Sequence, residues 1–338
     1  MVAAVATRPI RIDAHCHFSP ASYVELLAAE AQRDAALAGA NHHRLQNLRQ
    51  EGAPLLRLDN RINEMDAASV DVSVLALPPP GINFGEEKSR PAHARMINDD
   101  LVAAASQYLG RFAVVANLPF PDVETSLTEL DRVAQHPLVR GISLFAPGAT
   151  WMPDDVELTP VFARIAEHRL PLVMHPSHEQ VPDHWKDWKI SRALGPMVSS
   201  TVCASRILLS GMLDRIPDLE VIMPHLGGTL LFLIGRYGDV AGQGDAKRPI
   251  IEYLRSQFYF DTCSFHEPAL RCAVETVGVE RVVMGTDSPF RGPAQRMVSH
   301  IEAAFSDEES RLQVLGETAR KWFDITDLKE RALSNDSV

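Results

Sequence analysis

The sequence predicts a (β/α)8 barrel of the TIM type, and three observations carry that expectation. Short apolar stretches of strand type alternate with helical ones along the whole chain, and eight of them can be counted, near residues 10, 70, 112, 139, 172, 221, 258 and 282. Regular alternation argues a parallel sheet, and eight units in one run argue that the sheet closes on itself. The third observation is chemical. Residues able to bind a metal stand at the ends of the first, fifth, sixth and eighth stretches, and they meet only if the sheet is closed. A doubly wound Rossmann sheet is the competing topology, but no GxGxxG follows a strand. No linker or change of composition divides the chain, so residues 1–338 are expected to form one domain, with about 328–338 frayed.

Each element follows from its local pattern. Residues 10–18, IRIDAHCHF, form an apolar strand carrying two histidines two residues apart. Side chains i and i+2 of a strand share a face, so His15 and His17 can bind one ion together, with Asp13 one pleat earlier. Cys16 faces the other way and is assigned to packing. Residues 23–40, rich in Ala, Leu and Glu, read as helix and lead to a polar stretch, 41–54, whose His42 and His43 face solvent. The spacing of Leu58, Ile62, Met65 and Ala68 predicts a helix over 58–68, and 70–77 alternates as a strand. The loop Pro78-Pro79-Pro80-Gly81 follows that strand end, where barrels place substrate contacts. Asn83 and Phe84 are therefore candidates for lining a site, with a rigid turn as the alternative reading.

Helices at 90–108, 123–134 and 160–168 then alternate with strands at 112–116 and 139–144. His168 ends the last of these helices, where a polar or cationic residue suits the helix dipole, and is assigned a structural role. The strand 172–175 ends in His175 and runs into a loop with Ser177, His178, His184, Trp185 and Trp188, suited to capping a pocket or to a dimer contact. After a helix over 191–210, the strand 221–225 ends in His225 and then Leu226-Gly227-Gly228. Those glycines let the backbone turn sharply or pass close to a ligand, into an apolar helix expected over 229–237. A strand at 258–261, a helix at 268–277 and a strand at 282–286 complete the barrel, and helices at 294–305 and 308–315 close the chain.

Composition narrows the function classes. A formal net charge of -11, with no dense Lys/Arg tract, argues against a nucleic-acid partner. Hydrophobic residues at 46% and charged residues at 23% are ordinary for a soluble globular protein. Cys16, Cys203, Cys263 and Cys272 form neither a CxxC pair nor a disulfide framework, which points to reduced thiols in the cytoplasm. The opening MVAAVATRPI lacks the preceding positive charge of a signal peptide. Residues 230–234, among the most apolar, fall far short of the roughly 20 that a span needs, so no membrane partner is expected.

What remains is a ligand set. His15, His17, His175, His225 and Asp287 offer four imidazoles and one carboxylate, suited to zinc or a similar divalent ion. With three histidines and the carboxylate as ligands, a position stays open for water or substrate. The fourth histidine is then left for proton transfer, a task imidazole suits because its pKa lies near neutrality. Residue types alone leave open which histidine is the free one.

Together, DAHCHF at 13–18, NRINEMDAASVDVSVLALPPPGINF at 60–84, PLVMHPS at 171–177, PHLGG at 224–228 and GTDSPF at 285–290 resemble the amidohydrolase superfamily. Within it they resemble the amidohydrolase-2 branch, which contains aminocarboxymuconate-semialdehyde decarboxylase and related decarboxylases. The resemblance covers nearly the whole chain, and residues 61–84 are most similar to the 6-methylsalicylate decarboxylases of that branch. It implies a metal-dependent barrel with His15, His17, His175 and Asp287 on the metal and His225 unligated, orienting or deprotonating metal-bound water. It also implies that Arg236, in LIGRYGD, reaches across a homodimer interface toward the substrate carboxylate of the neighbouring subunit. The first substrate-binding arginine of the semialdehyde decarboxylase has no match here, since Arg49 and Arg57 flank the place without aligning to it. That departure argues against that substrate and for an acid with one carboxylate, of the benzoate type. His175 stands where binuclear members carry a carboxylated lysine, so one divalent metal is expected, zinc first and manganese second.

The reaction so implied is non-oxidative decarboxylation of a hydroxybenzoate-type acid whose carboxylate and ortho hydroxyl sit on the metal. A proton from Asp287, or from water activated through His225, reaches the carbon that bears the carboxylate, and carbon dioxide leaves. Phe84, Trp185 and Phe290 are offered as a dry wall for the ring, with ordinary packing as the alternative for each. Two other functions compete. The same ligands can generate hydroxide, which makes a metal-dependent hydrolase of an amide, lactone or ester the alternative. A metal-binding barrel without activity is the third reading, and an intact ligand set together with a free histidine argues against it.

Overall fold

The strand stretches pair in chain order as Ile12–His17 (β1), Val72–Ala76 (β2), Phe112–Asn117 (β3), Val139–Phe145 (β4), Leu172–His175 (β5), Val221–Met223 (β6), Phe258–Asp261 (β7) and Val282–Val283 (β8). Every neighbouring pair is parallel. The computed structural model describes residues 8–33, 53–145, 151–177, 182–185 and 187–325. His42, His43, Arg49, His178 and the tail from 328 lie outside these. The strands read as continuous apolar runs because helices cover one face and packed side chains fill the other. Every residue of β1, β2 and β3 is buried accordingly.

The two edges of the sheet meet. Ala14 N–H donates to Met284 O (2.8 Å), His17 N–H donates to Ser288 O (2.8 Å), and the His15 carbonyl accepts from Thr286 N–H (3.1 Å) and Asp287 N–H (2.9 Å). Beneath this seam Asp13 Oδ2 accepts from Thr286 Oγ1 (2.6 Å) and Oδ1 from Thr286 N–H (3.0 Å). The closed parallel barrel expected from the sequence is the observed architecture.

Most helices fall where the patterns put them, among them Ala21–Arg33, Leu58–Ala67, Arg90–Ser106, Val123–Val133, Thr159–Glu167, Ile190–Leu209 and Glu267–Val277. Some begin with side-chain caps, as where Asp122 accepts from Thr125 N–H at 2.9 Å. His168 caps the end of its helix and pairs Nε2 with Asp131 at 2.9 Å, as its structural assignment requires. The apolar helix expected over 229–237 is not formed. Residues 228–233 are turns, and the helix there is Ile234–Val240. Leu230 and Leu231 turn inward while Phe232 is 87% exposed, so the apolar residues make no helical stripe. Gly228 sits at φ +62° with its Cα hydrogen against the Met197 carbonyl, 2.6 Å from where a Cβ would stand. Its close approach is to a neighbouring helix.

β6 and β8 stop short of the expected 225 and 286 because the chain leaves the ladder there. The expected helix 308–315 breaks into Glu308–Leu312, a wider turn at Gln313–Glu317 and Thr318–Trp322. That wider turn lies against the start of β1, where a Cβ on Gly316 would stand 2.0 Å from the Ile10 carbonyl oxygen. Among the described residues no helix is long and apolar enough to cross a membrane. Gly316→Ala forces two backbones apart and is expected to cost at least the ~1–3 kcal/mol typical of overpacked cores, read as a lower urea midpoint at unchanged slope. An unshifted midpoint would show that this turn yields freely.

Candidate active site

Pleating alone directs the first pair of side chains: His15 and His17, on the inward face of β1, are 6% and 1% exposed. His175 ends β5, His225 follows β6 and Asp287 follows β8. The rings converge, with centroids 5.0 Å apart for His15 and His17, 4.8 Å for His17 and His175, and 5.6 Å from His225 to both His15 and His175. One ligand-type atom from each of His15, His17, His175 and Asp287 lies within 4.8 Å of the others. Both His225 (φ 54°) and Asp287 (φ 52°) occupy the left-handed region, which non-glycine residues enter at a cost of about 1–3 kcal/mol. Leu226, next to His225, shares this conformation at φ 54°.

The hydrogen bonds sort the four histidines into two kinds. A carbonyl or carboxylate oxygen can only accept, so the ring nitrogen facing it carries the proton. His15 Nδ1 faces Asp261 Oδ2 (2.5 Å), His17 Nδ1 faces Leu77 O (3.1 Å), and His175 Nδ1 faces Pro176 O (2.9 Å). Each of these Nδ1–H groups is anchored, which turns the Nε2 lone pair into the cluster, as metal-bound histidines are arranged. His225 differs: among the described residues its buried Nδ1 has no partner, and its Nε2 lies 3.9 Å from Asp287 Oδ2.

The residues present fit a divalent ion. His15 Nε2 and His17 Nε2 face each other at 3.1 Å, and His175 Nε2 is buried without a partner. At that distance His15 Nε2 and His17 Nε2 share a proton, and a divalent ion among these nitrogens would take the place of that proton. Burial, with the charges of His17, His15 and His225 behind it, holds the His175 pKa well below the usual range, and burial also lowers that of His225. Both are neutral imidazoles. Burial opposes a charge on His15, but the hydrogen bond and charge of Asp261 lift its pKa to about 9. A proton held on Nε2 occupies the place an ion would take. Burial likewise opposes the charge of Asp287, which the hydrogen bond of His17 and the charges of His15, His17 and His225 keep ionised.

The carboxylate of Asp287 divides its two oxygens. Oδ1 faces His17 Nε2 (3.4 Å) and His15 Nε2 (3.9 Å), while Oδ2 faces His225 Nε2 (3.9 Å) and Arg291 Nε (3.5 Å). His225 and Arg291 also line a cavity of about 670 Å³ whose other walls include Met197, Leu231 and Phe265. Phe290 has its ring 5.3 Å from that of His17. Phe84 instead packs against Tyr23 and His93, at 6.2 and 6.1 Å between ring centroids. Trp188 is 90% exposed, and Arg236 is exposed on its helix. Arg57 is engaged on the surface by Asp59.

Sequence reasoning missed Asp261 and Arg291. Asp261 ends β7 just as His175 ends β5, so the strand-end rule contained the signal. Besides holding His15, its Oδ1 accepts from Leu226 N–H (3.0 Å) and Cys263 N–H (2.9 Å). Cys263 itself is a packing thiol whose Sγ donates to Gly285 O at 3.0 Å, and burial raises its pKa.

A closed parallel barrel with three anchored histidines and an aspartate at one rim defines a metal-site barrel of the enzyme type. The chain belongs to the amidohydrolase family, whose sequence profile matches residues 12–325. It is 25% identical over 309 residues to the 2-amino-3-carboxymuconate-6-semialdehyde decarboxylase of Dictyostelium discoideum, spanning 84% of this chain and 82% of that one. It is 27% identical over 352 aligned positions to a 6-methylsalicylic acid decarboxylase of Aspergillus aculeatus, spanning 96% and 95%. Its fold matches the 5-carboxyvanillate decarboxylase of Novosphingobium aromaticivorans, complexed with manganese and 4-hydroxy-3-methoxy-5-nitrobenzoic acid, with a TM-score of 0.82 at 23% identity over 94% of this chain and 96% of that one.

Asp261→Asn keeps the shape of the side chain while removing the charge that fixes His15. Chelator competition is expected to show metal affinity reduced by roughly 10- to 100-fold. Wild-type affinity in this variant would remove Asp261 from the support of the site.

Proposed function

We propose that this protein is a metal-dependent decarboxylase that releases carbon dioxide, without an oxidant, from a hydroxybenzoate-type acid such as 6-methylsalicylate. The observation that carries this reading is the division among the histidines: three have Nδ1 anchored and Nε2 turned inward, and one stands unanchored at the wall of a cavity. The printed activities of the relatives, decarboxylases of carboxylic acids, support it.

His15, His17, His175 and Asp287 are the residues we assign to the ion. Three imidazoles and a carboxylate suit zinc, and the manganese bound by the structural neighbour makes manganese the second candidate. A bound divalent ion supplies a positive centre for the substrate carboxylate and ortho hydroxyl. The chain's own residues do the rest. His225, neutral, takes a proton from water in the cavity and passes it on, and Asp287 Oδ2, 3.9 Å away, is its partner in that exchange. Hydrogen bonds of this kind are often long before substrate is bound. The proton goes to the ring carbon bearing the carboxylate, the bond between them breaks, and its electron pair stays on the ring as carbon dioxide leaves. Phe290 and the apolar cavity wall exclude water from the ring.

We assign the working form as a homodimer, with Arg236 contributed toward the neighbouring site. Leu194, Val198 and Val202 stand four residues apart and exposed on the helix Ile190–Leu209, and Phe232, 87% exposed, lies on the segment leading to Arg236. An apolar stripe of this kind suits the same stripe of a second copy. Four free cysteines, three of them buried, support a reducing, cytoplasmic setting.

The deciding experiment is carbon dioxide release from 6-methylsalicylate and a panel of hydroxybenzoates by the metal-loaded protein. Evolution of the gas with no oxidant is expected, and His225→Asn is expected to lower kcat by about 10²- to 10⁴-fold at full metal content. Water consumption without carbon dioxide would return the hydrolase reading. Arg236→Ala is expected to impair turnover while leaving bound metal unchanged, and unaltered turnover would remove Arg236 from the site.

A further inference from the structure

The cavity beside His225 holds a cation that the reaction above does not use. Phe290 N–H donates to Asp287 O (2.8 Å), and the turn so formed brings Arg291 back over the carboxylate four residues before it, with Nε 3.5 Å from Asp287 Oδ2. Arg296 steadies this turn from the far side, Nη1 donating to Arg291 O at 2.9 Å. Oδ1 of Asp287 faces the histidine cluster and Oδ2 faces His225 and Arg291, both of which line the cavity, so Arg291 stands with His225 on the cavity side of the carboxylate.

The guanidinium is half exposed, and among the described residues Asp287 is its one charged partner. A guanidinium has five N–H donors in a planar fork. Arg291 meets Asp287 through Nε, and the cavity it lines combines the apolar side chains of Met197, Leu231 and Phe265 with the polar ones of Ser264, His266 and Arg296. A guanidinium fork in the lining of a largely apolar cavity is complementary to a planar ring carrying a carboxylate.

We propose that Arg291 receives the substrate carboxylate from within its own subunit and sets the preference of the site for acids over their neutral analogues. The inference rests on the aromatic-acid reading above. Its rival is that Arg291 only steadies Asp287, and the two differ in what they do to an uncharged ligand. An anchor for a carboxylate discriminates between an acid and its amide, whereas a support for Asp287 affects both alike.

The test compares metal-loaded wild type, Arg291→Ala and Arg291→Lys in two readouts: calorimetric binding of salicylate against salicylamide, and kcat and KM for carbon dioxide release. Arg291→Ala is expected to weaken salicylate by roughly 10- to 100-fold, the loss of a charge-assisted hydrogen bond, while leaving salicylamide and metal content unchanged. KM rises more than kcat falls, and Arg291→Lys recovers part of the binding. Equal weakening of acid and amide, or none, overturns the assignment while carbon dioxide release by the wild type keeps the decarboxylase reading intact. Arg291-dependent binding of the acid with no carbon dioxide overturns that reading and leaves the assignment standing. A wild-type protein that binds no hydroxybenzoate overturns both.

Discussion

The seam between β1 and the chain following β8 is the constraint on which the site depends. The carbonyl of His15 accepts N–H bonds from Thr286 and Asp287, so the residue that offers an imidazole to the cluster also holds the backbone of the residue that offers the carboxylate. Residues almost three hundred positions apart are thus fixed within one ladder step. β8 pairs with β7 over two residues only, because the chain beyond it is needed for β1. Each such bond contributes about 1 kcal/mol net, but breaking one in this buried place leaves an unpaired polar group and costs more. The Asp13 carboxylate, clamped on Thr286, ties the same seam from below.

Electrostatics explains why the cluster is built as it is. Buried imidazoles resist protonation, and His175 and His225 are held neutral on that account. Asp287 and Asp261 stay ionised despite burial because histidines surround them. The pocket sets its negative charges around His15, whose pKa Asp261 raises, with further positive charge nearby: the buried Arg61 donates to the His17 carbonyl, and Arg291 stands beside Asp287. A divalent ion in the centre would take the place of the proton that His15 and His17 share.

Where the sequence was legible, the reason is periodicity. The two-residue repeat placed His15 and His17 on one face, and strand ends located His175, His225 and Asp287 without any knowledge of the turn geometry. Which histidine is free was legible through the family resemblance and not from residue types, because it depends on the partner of Nδ1, and those partners are carbonyls of Leu77 and Pro176 and a carboxylate two strands away. The helix expected over 229–237 failed because Leu230 and Leu231 are buried by a turn, which hydropathy cannot tell from a helical face. Arg291 was silent for a similar cause: only the left-handed conformation at Asp287 and the turn to Phe290 bring it back over the site.

Asp261 joins the two halves of the machinery. Its Oδ2 holds the His15 ring, and its Oδ1 accepts from Leu226, the residue next to His225 in the segment that adopts left-handed backbone. A strained segment persists only where its surroundings hold it, and here the holding group is the one that aims an ion ligand. One buried carboxylate therefore ties the His15 ring to the backbone beside His225, the two residues to which the proposed reaction gives the ion and the proton. A misplacement of an ångström can cost two orders of magnitude in rate, which gives weight to an anchor shared by His15 and the segment that carries His225. At the end of β7, beside the strand that leads to His225, the Asp261 side chain reaches both the Leu226 N–H and the His15 ring.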